Sequence, residues 1–173
     1  MKVACDADGL IKMAKAGILE VFAQYAELLI GPQVYREAVE EGKARGYPDA
    51  LDLERILKVH AQVPRKLRRT LARTAQLFAD VSLGAGEREA LQIYFTEQAD
   101  AVLSDDQAFL SALEAQGIPF LTPAAVLVFL AERKLITLTE AYEALEQLRP
   151  LIRSDQYEMA RQDLNSLTER SSR

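Results

Sequence analysis

The chain has 173 residues, of which 49% are hydrophobic and 27% charged, a balance typical of one globular domain with a sizeable core. One cysteine and one histidine exclude an intramolecular disulfide and a zinc site made of cysteines and histidines. The 26 acidic residues exceed the 21 basic residues and give a formal net charge of -5. Because cysteine and histidine are so few, a bound metal would depend on carboxylate oxygens, which favour Mg²⁺ or Mn²⁺.

No segment has the pattern of a membrane span or an export signal. The longest apolar run, from Ala124 to Ala131, has eight residues, whereas a helix needs about 20 to cross a bilayer. Asp6 and Asp8 interrupt the N-terminus before an apolar signal segment can form. We expect a soluble, cytoplasmic protein with no membrane partner.

The first half of the chain alternates short apolar strands with helical patterns. Runs of apolar residues predict strands covered on both faces, and glycine or proline marks most of the boundaries. The predicted elements are a strand at 2–6, helical segments up to residue 26 that Gly17 interrupts, a strand at 28–30, a helix from Pro32 to about Gly42, a helix at 48–57 and a strand at 59–63.

The second half continues the alternation and ends in helices. Its predicted elements are a helix at 87–98, a strand at 101–104, a helix at 105–116, a strand at 118–121, a helix at 123–133 and two further helices at 139–149 and 154–166. This order predicts an α/β fold with a mainly parallel central sheet. We expect a domain over residues 1–136 and a helical extension over 137–173 packed on the same domain.

Asp6 and Asp8 directly follow the first predicted strand. The carboxyl ends of parallel strands form the edge at which such sheets bind ligands. Asp8 has a structural alternative, because aspartate often caps the helix that it precedes. Since one cap suffices, Asp6 is the better candidate for a site residue.

Glu87 stands at the head of an apolar helical stripe. The residues three, four and seven positions further on are Ala90, Leu91 and Tyr94. A carboxylate in line with a core face needs a partner, a metal or a place at the sheet edge. Glu89 points away from this stripe, so we expect it to be a solvated surface acid.

Ser104, Asp105 and Asp106 lie where the strand at 101–104 ends and the next helix begins. Three cap-forming residues in a row exceed the need for one cap. Asp106 also leads an apolar stripe that begins at Phe109. We therefore expect Asp105 to be the helix cap and Asp106 to be the site residue.

The predicted topology can gather several acids at one place. If the strands at 2–6 and 101–104 lie side by side, Asp6 and Asp106 emerge at the same sheet edge, near Glu87. Close like charges raise one another's pKa values, and a divalent cation resolves that conflict. Carboxylate sites for Mg²⁺ act mainly on phosphate esters. Glu37 also borders an apolar helix face, but helical angles do not separate it from the acids at positions 40 and 41.

Four segments in order resemble the PIN-domain nucleases, specifically a small prokaryotic group related to VapC-like toxins with a C-terminal helical extension. The segments are VACDADGLIKMAKAGILEVF, LLIGPQVYREAV, LGAGEREAL and AVLSDDQAFL. IPFLTPAAVLVFLAERKLI and LRPLIRSDQYEMA resemble the C-terminal half of that group. The resemblance therefore covers nearly the whole chain.

The resemblance implies a Rossmann-like, three-layer fold and a ribonuclease that hydrolyses RNA phosphodiester bonds with Mg²⁺ or Mn²⁺. It implies catalytic acids at Asp6, Glu37, Glu87 and Asp106, with Asp6, Glu87 and Asp106 as metal ligands and Ser104 as a supporting residue. Asp8 and Asp105 depart from the pattern of the family, and we expect Asp105 to be an additional metal ligand and Asp8 to be a supporting residue. The expected reaction is metal-assisted attack of water on a backbone phosphate. The resemblance also implies a homodimer and, for toxin members, a cognate antitoxin.

Two other functions stay open. VACDADGL also resembles the D-x-D-G start of haloacid-dehalogenase-type phosphatases, with Asp6 as nucleophile and Asp8 as general acid. Leu10 departs from that motif, and Glu37 and Glu87 would then have no role. The second alternative is a PIN scaffold that binds a partner without catalysis.

A basic run occupies residues 58–73, with six lysines and arginines and no acid. It is either a solvated surface or a phosphate-binding track beside the acids. The candidate nucleic-acid contacts are Arg65, Lys66, Arg68 and Arg69, with Lys12 from the first helix. We expect a structural role for His60 and a core position for Cys5.

Overall fold

A parallel β-sheet forms the centre of the molecule. The structure is a computed structural model and describes residues 1–61 and 82–171. Within these ranges the sheet has four strands in the order β2-β1-β3-β4, all of them parallel. The strands are β1 (Lys2–Cys5), β2 (Glu27–Leu29), β3 (Ala101–Leu103) and β4 (Phe120–Leu121). The prediction of an α/β fold with a mainly parallel sheet is confirmed.

β1 lies inside the sheet because its side chains are apolar on both faces. Val3, Ala4 and Cys5 are all fully buried. Val3 and Cys5 belong to one core cluster, whereas Ala4 belongs to another, as the alternation of side chains along a strand requires. In the pairing of β1 with β3, Cys5 lies opposite Leu103, so the two strands end at the same level.

Helices cover both faces of the sheet and complete three layers. They are α1 (Ala7–Lys15), α2 (Leu19–Tyr25), α3 (Pro32–Tyr35), a π-helical segment (Arg36–Glu40), α4 (Glu41–Ala44), α5 (Asp49–His60), α6 (Ala85–Glu97), α7 (Gln107–Ala115), α8 (Pro123–Glu132), α9 (Leu138–Leu148) and α10 (Ser154–Ser171). Apolar side chains of α6 and α7 share a core cluster with β3. None of the described helices is both long and apolar enough to cross a membrane.

The two C-terminal helices pack on the rest of the molecule through apolar side chains. α9 and α10 contact each other and α8. Their buried residues Leu145, Leu148 and Leu164 belong to the same core cluster as Val3 of β1. The two predicted helices are therefore confirmed, whereas the domain boundary at residue 136 stays a prediction.

The predicted strand at 59–63 is wrong where the structure describes it. α5 buries Leu53, Ile56 and Leu57 at helical spacing and continues through His60. Only Ala61 makes a β-bridge, with a single residue of β2. His60 thus lies in the last helical turn, and residues 62 and 63 lie outside the described ranges.

The helix predicted from Pro32 to Gly42 forms in three consecutive segments. Pro32 occupies the first turn, where its missing N–H is tolerated. The N–H of Glu41 bonds to the carbonyl of Arg36, five residues earlier, which widens the helix into a π-helix. Such segments are rare and often occur at functional sites. This one contains Glu37.

Candidate active site

Asp6 leaves the end of β1 and turns into the sheet edge. Its Oδ1 accepts the N–H of Gly9 at 2.8 Å, which makes Asp6 the N-cap of α1. Its Oδ2 accepts a hydrogen bond from the hydroxyl of Ser104. The alternative that Asp8 caps this helix is therefore wrong, because the residue before the first helical turn, and not the one within it, has the extended backbone that a cap requires.

The Asp6 carboxyl group is almost completely buried, with 4% of the residue exposed. Burial raises its pKa from 3.8 to about 7, although the hydrogen bonds from Ser104 and Gly9 lower it. The nearby charges of Asp8 and Glu87 make a smaller contribution to the same rise. Near neutral pH, a bound cation would therefore stabilise the ionised form of this buried carboxyl group.

Ser104 connects Asp6 to Asp106 across the ends of two neighbouring strands. Its hydroxyl group donates to Asp6 and accepts the backbone N–H of Asp106 at 3.2 Å. Asp106 Oδ1 accepts the N–H of Phe109 at 2.9 Å and caps α7. The expectation that Asp105 is the cap is wrong, and Asp106 combines the cap with a place at the site.

Asp105 turns away from Asp106 and pairs with a lysine. Lys12 Nζ lies 2.6 Å from Asp105 Oδ2 and 2.6 Å from Asp8 Oδ2. The Asp105 side chain is 2% exposed and that of Lys12 is 16% exposed. Burial raises the pKa of Asp105, and the hydrogen bond from Lys12 opposes that shift. We call Lys12, Asp8 and Asp105 the Lys12 cluster.

Glu87 occupies the third position of α6 and bonds back to the start of its own helix. Its Oε2 accepts the backbone N–H of Gly84 at 2.6 Å, as in a capping box. Burial raises the pKa of Glu87 and the bond from Gly84 lowers it. The charges of Asp106 and Glu37 raise this pKa, whereas the charge of Arg88, which does not line the cavity, lowers it. Glu87 thus lies close enough to Asp106 and to Glu37 for their negative charges to act on it.

Glu37 reaches the same place from the π-helical segment. Its Oε1 accepts a hydrogen bond from the side-chain amide of Gln33. Its Oε2 lies 2.7 Å from the position that a Cβ would take on Gly86, so glycine leaves the room that this carboxylate needs. By contrast, Glu40 is exposed and Glu41 pairs with nearby arginines. The structure thus separates the three glutamates that helical angles alone did not.

The acids line one cavity of ≈ 190 Å³. Its lining is Asp6, Ala7, Asp8, Glu37, Gly84, Ala85, Gly86, Glu87 and Asp106. We call Asp6, Glu37, Glu87 and Asp106 the cavity acids. Among residues 1–61 and 82–171, no lysine or arginine lines the cavity. Asp105 and Lys12 do not line it either.

The cavity acids suit a hydrated divalent ion. In the described parts of the chain, no three of the acidic side chains converge closely enough to hold one ion together. In this conformation an ion would contact at most two of them, with water at the remaining positions. Mg²⁺ commonly keeps several waters and takes only one or two protein carboxylates. The donor set therefore fits Mg²⁺ or Mn²⁺ bound partly through water.

Glu89 is a residue whose role the sequence did not reveal. The expectation of a solvated surface acid is wrong, because Glu89 is only 7% exposed and its Oε2 accepts the N–H of Val34 at 2.8 Å. The sequence did carry a signal for this bond, at the start of the helix that contains Val34. Gly31 precedes the helix that starts at Pro32 and has no side chain to cap it, so an acceptor must come from elsewhere.

The candidate nucleic-acid contacts have different outcomes. Arg65, Lys66, Arg68 and Arg69 lie outside the described residues. The ammonium group of Lys12 is engaged by two carboxylates, which leaves it little capacity for a phosphate.

A family model described as a PIN domain matches residues 2–166 of the chain. The match runs from β1 into α10 and includes every cavity acid. The chain therefore belongs to the PIN-domain family, whose members are generally hydrolytic nucleases. Neither the curated proteins nor the solved structures yield a significant match to the chain.

Proposed function

We propose that the protein is an endoribonuclease that hydrolyses RNA phosphodiester bonds with Mg²⁺ or Mn²⁺. The observation that carries this proposal is the cavity at the carboxyl ends of β1 and β3, where Asp6, Glu37, Glu87 and Asp106 gather with no lysine or arginine among the described lining residues. Parallel sheets bind ligands at this edge. Membership of a family of nucleases supports the same function.

Each cavity acid has a distinct proposed role. Asp6 and Asp106 would hold the metal, because both line the cavity and the Ser104 hydroxyl group joins the Asp6 carboxylate to the backbone of Asp106. Glu87 and Glu37 line the same cavity and would bind water molecules of a hydrated metal ion. When bound, the metal supplies a Lewis acid that lowers the pKa of water and neutralises charge on the phosphate. Ser104 keeps the Asp6 carboxylate oriented through its hydrogen bond. Asp8 has a supporting role as a residue that lines the same cavity.

Asp105 is left out of the proposed ligand set. Its carboxylate already has the Lys12 ammonium as a counter-charge and lies away from the cavity lining. The same pair speaks against the phosphatase alternative, since the Asp8 carboxylate that would serve as general acid also contacts Lys12. We retain a homodimer, a cognate antitoxin and the basic run as an RNA track as further proposals.

Cleavage of a fluorescently labelled single-stranded RNA tests the proposed function. Wild-type protein is expected to cleave with Mn²⁺ or Mg²⁺ and to stop with EDTA. Asp6→Asn and Glu87→Gln are expected to lower the rate by at least about 100-fold, the upper range for residues that only support metal ligands. Glu40→Gln is the matched control, because this exposed residue shares the helical segment of Glu37.

The outcomes separate the three functions. Cleavage that survives Asp6→Asn and Glu87→Gln would sink the proposed nuclease site. Binding of Mn²⁺ without cleavage of any RNA favours the non-catalytic scaffold. A trapped acyl-phosphate on Asp6 favours the phosphatase.

A further inference from the structure

Glu89 lies next to the cavity in sequence but outside it in space. Its Oε2 accepts the N–H of Val34 at 2.8 Å. Val34 is the third residue of the helix that starts at Pro32, and the N–H groups at this position need an acceptor. The carboxylate of one helix thus performs the capping role at the start of another.

Gly31 makes room for this long-range cap. A Cβ on Gly31 would overlap the Glu89 carboxylate, with its Cδ as the nearest atom. The backbone of Gly31 has φ -105°, which any residue can adopt. The requirement for glycine is therefore steric, and the three atoms nearest to such a Cβ all belong to Glu89.

A second contact of the same kind runs in the opposite direction. Glu37 Oε2 occupies space that a Cβ on Gly86 would need, at 2.7 Å, and Val34 Cγ2 lies 3.7 Å from that position. Each helix start thus presents a glycine to a glutamate from the other. Val34 takes part in both contacts, and it precedes Glu37 by three residues.

We propose that Glu89 is a positioning residue for the cavity. By holding the N–H of Val34, it holds the start of α3 against α6 and keeps Glu37 over Gly86, facing Glu87. The role rests on the proposed function of the cavity acids. Glu89 itself is not among the residues that line the cavity.

Binding of Mn²⁺, measured by calorimetry on the full chain, tests this role. Glu89→Ala and Gly31→Ala are each expected to weaken Mn²⁺ binding about 10- to 100-fold, the range for residues that orient metal ligands. Glu89→Gln retains a carbonyl acceptor for Val34 and should bind within about threefold of wild type. Leu145→Ala, a buried change in α9, controls for a general loss of stability.

The pair of sites also predicts non-additivity. Once Glu89 is alanine, the obstacle to a Cβ at residue 31 is gone, so the double variant should bind Mn²⁺ no more weakly than Glu89→Ala alone. A crystal structure of metal-free Glu89→Ala should show Glu37 withdrawn from Gly86.

Several results would overturn the positioning role alone. These are wild-type affinity in Glu89→Ala, a loss no greater than that of Leu145→Ala, or an unmoved Glu37 in the variant structure. A full additional loss from Gly31→Ala in the Glu89→Ala background would do the same. If wild-type protein binds no Mn²⁺, the metal site itself fails and the positioning role falls with it.

Discussion

Two groups of carboxylates lie at the carboxyl edge of the sheet, and they differ in the source of their counter-charge. The Lys12 cluster contains its own cation, held 2.6 Å from both Asp8 and Asp105. The cavity acids have no lysine or arginine among the described lining residues. The first group therefore has a counter-charge within the chain, whereas we propose that the second takes its cation from solution. Carboxylate clusters close together in one fold can thus have opposite roles.

The largest expected effect separates two neighbouring residues. Asp106→Asn should lower Mn²⁺-dependent RNA cleavage by at least about 100-fold, because Asp106 lines the cavity. Asparagine still accepts a hydrogen bond, so the cap of α7 is retained. Asp105→Asn should leave cleavage within a few-fold of wild type. Equal losses of activity in a single-turnover assay would show that Asp105 and Asp106 belong to one functional site, which contradicts their assignment to two groups.

The next effect is a pH dependence of stability without metal. Burial raises the pKa of Asp6 from 3.8 to about 7, so the unfolded chain loses this proton first as pH rises. The ionised group then destabilises the fold. With EDTA, Asp6→Asn should be more stable than wild type by a margin that grows from about pH 4 to about pH 7 and levels at about 3–4 kcal/mol.

Thermal unfolding of both proteins across this pH range measures the margin. Asp6→Asn keeps one oxygen to accept the N–H of Gly9, and its amide NH₂ can donate to the Ser104 hydroxyl group. The pH-dependent part of the margin therefore reports the charge of Asp6, because a changed hydrogen bond adds the same amount at every pH. A margin that does not change with pH would show that burial of the Asp6 charge does not destabilise the fold.

A smaller loss is expected when the resident cation is removed. Lys12→Met leaves the buried Asp105 carboxylate without its counter-charge and should lower the free energy of unfolding by about 2–3 kcal/mol. The figure is below that for a wholly buried pair because Lys12 keeps some exposure. Adding Asp105→Asn to Lys12→Met should restore part of the loss. Chemical denaturation of wild type and the two variants measures these effects, and a double variant no more stable than Lys12→Met would argue against the pair.

The smallest effect is expected at Asp8. Its side chain is 51% exposed and pairs with Lys12 four residues later. Exposed pairs of this kind contribute about 0.3–0.5 kcal/mol. Asp8→Asn should therefore shift the free energy of unfolding by no more than about 0.5 kcal/mol, as denaturation can verify. A larger loss would mean that Lys12 depends on both acids equally.

The sequence predicted the parts of this site that follow from periodicity and strand order. Asp6 and Asp106 were recognisable because each follows an apolar strand, and Glu87 because it heads an apolar stripe. The parallel pairing of β1 with β3 then brings the first two together. These features depend on local pattern and one topological rule, which a single sequence carries.

Partners distant in sequence could not be predicted in the same way. Lys12 pairs with a residue 93 positions away, and Glu89 with one 55 positions away. Helical periodicity predicts the direction in which a side chain points from its own helix, but it does not predict which other element packs on that side. For that reason Glu89 was expected in solvent, and the roles of Asp105 and Asp106 were interchanged at the helix cap.

Calorimetric titration of Mn²⁺ into three proteins tests the central distinction most directly. Wild type and Asp105→Asn are expected to bind the ion with affinities within about threefold of each other, and Asp6→Asn at least about 10-fold more weakly. That result would mean that the cavity acids bind a cation from solution, whereas the Lys12 ammonium group is the cation of the Lys12 cluster. Undiminished binding by Asp6→Asn, or an equal loss in Asp105→Asn, would contradict the account.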